Sequence, residues 1–133
     1  MERTYKTWGE KWNIFQNDLC EVSILELKPY HRCSWHKHQT KFNQFFVLDG
    51  TLFIKVRDGI ARIAKGQIFT TRPGEFHEFQ TGAEQALIQE IMYVKYDPED
   101  IEREMLGGPI NKTHSEHHKV SDEEQSQCSK NLF

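Results

Sequence analysis

The chain has little of what marks a membrane, secreted or nucleic-acid-binding protein. Hydrophobic residues make up 37% of its 133 positions, and no apolar run approaches the ~18–20 residues that a membrane span needs. The opening Met1-Glu2-Arg3-Thr4-Tyr5-Lys6 lacks the apolar stretch of a signal peptide, so a cytoplasmic location is expected. Cysteine is sparse: Cys20, Cys33 and Cys128 form no Cys-x-x-Cys pair, which argues against a disulfide framework or a cysteine-type zinc ribbon. Basic charge is not in surplus either. Against 20 Asp and Glu stand 17 Lys and Arg, a formal charge of −3, whereas a dedicated nucleic-acid binder concentrates basic residues on one face. No internal repeat and no Gly-rich nucleotide loop is present.

What is present is unevenly distributed. Residues 109–133 hold Ile110, Val120, Leu132 and Phe133 as their only strong apolar side chains. Such a segment cannot bury enough surface to offset its ordering entropy, and it reads as a polar, flexible tail. The remaining body, 1–108, is expected to be one domain. Short apolar segments there alternate with Gly, Pro and Asp at the spacing of an all-β sandwich or barrel. Strands are expected over Val22–Leu27, Gln44–Leu48, Leu52–Arg57, Ile60–Ile63, Ile68–Thr71, His77–Gln80 and Ala86–Val94. The clearest is the third, where Leu52, Ile54 and Val56 alternate with Phe53, Lys55 and Arg57. Asp58-Gly59 suits a type I′ hairpin turn. Asp97-Pro98-Glu99-Asp100 has the form of a helix start, with Asp97 as cap, and Gly107-Gly108 would end a short C-terminal helix.

The most informative feature is Trp35-His36-Lys37-His38, followed some distance on by Pro73-Gly74-Glu75-Phe76-His77. In an extended chain residues i and i+2 point to one side, so His36 and His38 can enter one cavity together. Neutral imidazole is the commonest protein metal ligand, and His77 from another strand would complete a facial set.

Tyr30 to Gly50 resembles the first cupin motif, G-x5-H-x-H-x3–4-E-x6-G, with His36, His38 and Gly50 in register. Gly66 to Thr81 resembles the second, G-x5-P-x-G-x2-H-x3-N, with Gly66, Gly74 and His77 in place. Trp8-Gly9, Ile88-Gln89-Glu90-Ile91 and the run Pro98 to Arg103 are similar to one cupin subgroup, the C-terminal domain of type II mannose-6-phosphate isomerases. The guanylyltransferase half of those bifunctional proteins has no counterpart here. The resemblance spans roughly residues 5–108. It implies an all-β double-stranded β-helix, a jelly-roll barrel, with the short terminal helix appended. The departures are Tyr30 at the first Gly, Pro73 one position early, Thr81 at the final Asn, and Asn43 at the metal-binding Glu.

The resemblance implies a divalent metal, zinc, manganese, iron or nickel, on His36, His38 and His77, with Asn43 offering a neutral oxygen. It also implies sugar-phosphate isomerase or epimerase chemistry. Glu90 is the candidate base for that reaction, although a shift of one residue would put Gln89 there, which cannot act as one. Arg32, Lys41 and Arg72 are candidate phosphate contacts. Two other readings stay open: a non-catalytic cupin that binds a small polar ligand, and a three-histidine iron dioxygenase. Cupins commonly pair as homodimers, so the resemblance implies that assembly for this chain.

Overall fold

A computed structural model describes residues 2–95 and 97–110. By its contacts the chain divides into two units, Met1–Tyr96 and Asp97–Phe133. Among the described residues the first unit contains nine strands: β1 (Glu2–Lys6), β2 (Gly9–Gln16), β3 (Cys20–Leu27), β4 (Phe42–Asp49), β5 (Thr51–Val56), β6 (Gly59–Ala64), β7 (Ile68–Thr71), β8 (Glu78–Gln80) and β9 (Ala86–Tyr93). They form a six-stranded sheet in the order β1-β2-β3-β9-β4-β7 and a three-stranded sheet in the order β6-β5-β8. Among the described residues there is no helix, and so none long and apolar enough to cross a membrane.

Period-two alternation decides which face of each strand turns inward. In β3, Ser23, Leu25 and Leu27 are buried; in β4, Asn43, Phe45 and Val47; in β9, Ala86, Ile88 and Glu90. The registers Leu25↔Ile88 and Val47↔Ile88 lay these apolar residues in one row. From the small sheet, Leu52, Ile54, Ile63 and Phe79 meet them in a single cluster. The Phe45 and Phe79 rings lie 6.2 Å apart in an edge-on arrangement, and Trp8 stands edge-on to Phe79 at 5.0 Å. Fully burying a side chain of this size contributes ~1.5–3 kcal/mol, which makes this cluster the main stabilising element. Gly50 carries the chain from the large sheet to the small one at φ 77, and a Cβ there would lie 2.4 Å from the Gln85 carbonyl oxygen.

Several expectations need correction. The two sheets face each other as a sandwich and do not close as a continuous barrel; isolated bridges, Arg32↔Gln80 and His36↔His77, pair the β3–β4 connection with β8 and the residue before it. Strands β1 and β2 were not expected. Every residue of β1 is exposed, and β2 carries a bulge between Asn13 and Phe15 that interrupts its alternation. The β5–β6 turn sits one residue early, on Arg57-Asp58, with Val56 paired to Gly59. It is not type I′, because neither turn residue has the positive φ that type requires. The C-terminal helix is not formed. Asp97 accepts the Glu99 N–H at 3.0 Å, as a cap would, but the chain then makes only a turn. Ile101, Met105 and Leu106 are exposed, and a helix this short is marginal without an apolar face to bury. The expected tail lies, beyond Ile110, outside the described residues, as do its His114, His117 and His118.

Candidate metal centre

The crossing segment after β3 and the turn after β7 build the centre together. The backbones of His36 and His77 exchange both hydrogen bonds, His36 N to His77 O at 3.1 Å and His77 N to His36 O at 2.8 Å. Directly opposed residues of an antiparallel pair project to the same face, and His38 follows two residues later on that side. Gly74 N–H donates to the His38 carbonyl at 2.7 Å, which ties the His38 segment to the Pro73-Gly74 turn. Gly74 adopts φ 82, a conformation that glycine takes without strain.

One nitrogen from each of the three histidines lies within 4.8 Å of the others. Ring centroids are 4.5 Å apart for His36–His77, 5.0 Å for His36–His38 and 5.6 Å for His38–His77. Nδ1 of His36 lies 2.7 Å from the Ser34 carbonyl oxygen, and Nδ1 of His77 lies 3.1 Å from that of Glu75. A carbonyl only accepts, so these contacts favour the tautomer with the proton on Nδ1, which leaves Nε2 as the nitrogen open to a metal. This is the outer-shell arrangement that orients metal-binding histidines. Burial, reinforced by the neighbouring His36 and His77, holds His38 below the ordinary imidazole range. Burial does the same to His77, with the Glu75 carbonyl opposing it. Both are therefore biased towards the neutral, metal-binding form.

Asn43 is 1% exposed on the inner face of β4. Its Nδ2 donates to Glu90 Oε2 at 3.1 Å across the β4–β9 pair. Asn43 Oδ1, His38 Nε2 and His77 Nε2 are buried without a hydrogen-bond partner among the described residues. An unsatisfied buried acceptor costs ~1–3 kcal/mol, and a cation held by the three histidines would satisfy the two imidazole nitrogens. The donor set of three imidazoles suits a divalent metal ion.

Glu90 points inward, 8% exposed, while its neighbour Gln89 lies on the other face. Burial pushes its carboxyl above the ordinary range, against the opposing pull of Lys11, the Asn43 amide and His36. Sequence reasoning missed the wall beyond it. Lys11 Nζ lies 2.7 Å from Glu21 Oε1, and the Ser23 hydroxyl donates to the same oxygen at 3.3 Å. Burial alone would push Glu21 up, yet the Lys11 ammonium, aided by Ser23 and Lys41, carries it below its usual value. A signal for this wall existed: Glu21 and Ser23 share the alternation that buries Leu25 and Leu27, so polar residues occupy a core-facing row.

The three candidate phosphate contacts are not gathered. Arg32 lines a surface depression with Tyr30, His31, Gln80 and Thr81, its guanidinium 3.3 Å from the Glu78 carboxylate. Lys41 lines a different depression, at the ends of β2, β3 and β9. Arg72 is exposed in the turn after β7. The aromatics near the two motifs also separate. Phe45 is core and approaches His77 at 6.2 Å, whereas Trp35 stacks on Phe76 at 5.5 Å.

The family model of AraC-like ligand binding domains matches residues 22–133. No curated protein sequence matches the chain. Among solved structures, KdgF from Halomonas sp. is similar with a TM-score of 0.65 at 9% identity, covering 72% of this chain and 90% of that one. The cupin domain of Cnp3 from Schizosaccharomyces pombe gives 0.63 at 13% identity, covering 69% of each chain. A cupin-2 domain containing protein from Shewanella frigidimarina gives 0.57 at 21%, covering 69% of this chain and 85% of that one. At these identities the likeness is one of fold, and the fold is cupin-like. The narrower likeness to mannose-6-phosphate isomerases is not what these matches carry.

Proposed function

The chain belongs to the family of AraC-like ligand binding domains, and on that footing we propose that it is a small metal-binding cupin that holds a small polar ligand. In this reading His36, His38 and His77 hold a divalent cation and Asn43 supplies a fourth, neutral ligand. The cupin domain is 1–108, with 109–133 as an appended polar segment. The observation that carries the reading is the group of buried acceptors without partners, His38 Nε2, His77 Nε2 and Asn43 Oδ1. When bound, the metal supplies a Lewis acid that orients a ligand oxygen. The chain's own residues do the rest. The Lys11–Glu21 pair offers a donor and an acceptor to hydroxyl or carboxyl groups, and the apolar half of the sandwich behind it excludes water. Arg32 and Lys41 line different depressions, Lys41 sharing its own with Glu21, so the two do not gather round one phosphate.

Aldose–ketose isomerisation of the mannose-6-phosphate isomerase type is the second reading, and Glu90 is what supports it. Its buried carboxyl is shifted in the direction a general base near neutral pH requires. Against it, the Asn43 amide already occupies one carboxyl oxygen. A thermal-shift screen of zinc-loaded protein against sugars, sugar phosphates and hydroxy acids separates the two. Ligand binding predicts stabilisation that disappears in His77→Ala, with no conversion of the stabilising compound. Interconversion of mannose 6-phosphate and fructose 6-phosphate by the loaded protein would replace it with the isomerase reading. Iron in the purified protein together with oxygen consumption would replace it with a three-histidine dioxygenase.

A further inference from the structure

The family's metal-binding carboxylate position is Asn43 in this chain, yet a carboxylate is still there, one strand away. Glu90 on β9 lies diagonally across from Asn43 on β4, where the register pairs Phe45 with Glu90 and Asn43 with Met92. Both side chains face inward and both are buried, at 1% and 8% exposure. An amide side chain has two nearly isosteric ends, and only its hydrogen-bond partners decide which end points where. Glu90 Oε2 accepts from Asn43 Nδ2 at 3.1 Å. This holds the NH2 end against β9 and turns Oδ1 the other way, where it is buried without a partner. Phe45, two residues on along the same face, lies 6.2 Å ring to ring from His77, so that face of β4 borders the histidine cluster.

We propose that Glu90 is a positioning residue for the metal centre: by accepting from the Asn43 amide it aims Asn43 Oδ1 at the cation on His36, His38 and His77. The carboxyl group stands one shell further out and acts through the amide. The ligating oxygen is then a neutral amide oxygen, with the carboxyl group behind it. This inference rests on the metal reading above and assigns Glu90 a different task from that of a base touching substrate.

The test compares cobalt(II) and zinc affinities, measured by competition with a chelator, for wild type, Glu90→Gln, Asn43→Ala, the double variant Asn43→Ala/Glu90→Gln, and Asn43→Asp/Glu90→Gln. A glutamine at 90 can present either its oxygen or its NH2 group, so it no longer selects one amide orientation. Affinity should fall ~10–100-fold, the range for removing an outer-shell partner, with a change in the cobalt(II) visible spectrum. Asn43→Ala should lose as much, and Glu90→Gln should add nothing in that background, because both act on one oxygen. Asn43→Asp/Glu90→Gln returns the carboxylate to the inner position with an amide behind it, and should bind at least as tightly as wild type. Thermal melting in chelator identifies any variant that fails to fold, and the Asp/Gln exchange supplies the readout in that case. Equal affinity of Glu90→Gln and wild type, or additive losses in the double variant, would overturn the proposal and leave the metal reading intact. Wild-type affinity no greater than that of His77→Ala would overturn both.

Discussion

Tyr30 offers a quantitative test of how the two motifs fit this backbone. It occupies the position where the first cupin motif has glycine, and among the described residues it is the only non-glycine at positive φ, 56°. The left-handed region costs a residue with a Cβ ~1–2 kcal/mol, while glycine gives back ~0.4–1 kcal/mol through the greater freedom of the unfolded chain. Tyr30 is 77% exposed, so little packing is lost on truncation, and its N–H donation to the Gly82 carbonyl at 2.8 Å is a backbone bond that any residue keeps. Tyr30→Gly should therefore stabilise the protein by ~0.5–1 kcal/mol, a rise of ~2–8 °C in Tm for a domain of this size. Gly66→Ala is the mirror experiment. Gly66 has φ 83 and nothing lies within 4 Å of the place a Cβ would take, so only the backbone term acts, and a loss of ~0.5–1 kcal/mol is expected. Differential scanning calorimetry in chelator reads both, with Tyr30→Ala as the control that keeps the strain. A lower Tm for Tyr30→Gly, or an unchanged one for Gly66→Ala, would refute the reasoning.

Other consequences follow from the packing. Ile88→Ala, at a fully buried position where the inward rows meet, should cost ~2–5 kcal/mol, visible as a lower urea midpoint with an unchanged slope; a loss below ~1 kcal/mol would contradict the assigned core. Trp8→Leu removes the edge-on contact with Phe79 and should lose ~0.5–1.5 kcal/mol beyond the change in buried area, read by the same titration. Burial pushes the Cys33 thiol up to about 12, and it accepts the Phe79 N–H at 3.1 Å. Mass spectrometry should find Cys33 unlabelled by a thiol reagent at pH 8 until urea unfolds the protein, and labelling at the rate of a free thiol would contradict that burial.

Strands with regular alternation were legible in the sequence. Ile68–Thr71 matches residue for residue, and β3, β4, β5, β6, β8 and β9 agree within a residue or two at either end. The two strands that escape sequence reasoning give no such signal: β1 buries nothing, and β2 loses its period at the bulge. For the hairpin, local turn chemistry points to the Asp-Gly pair, whereas the Val56↔Gly59 pairing sets the register. The terminal helix has a sound cap at Asp97, but a cap supplies one hydrogen bond and no packing. At the centre, the His36–His38 spacing is readable because period two is a property of any extended chain. The 47-residue separation of Asn43 and Glu90 conceals their pairing, since nothing local to either residue announces it. Lys11 is invisible for the same reason: it lies on a strand that the sequence does not reveal.

The central claim is that His36, His38 and His77 share one divalent cation. Element-resolved metal analysis of protein purified without added metal, for wild type, His36→Ala and Asn43→Glu, tests it most directly. The account predicts stoichiometric metal in wild type, its loss in His36→Ala, and retention with tighter binding in Asn43→Glu. Wild type as empty as His36→Ala, filling only when Asn43→Glu restores the carboxylate, would contradict it.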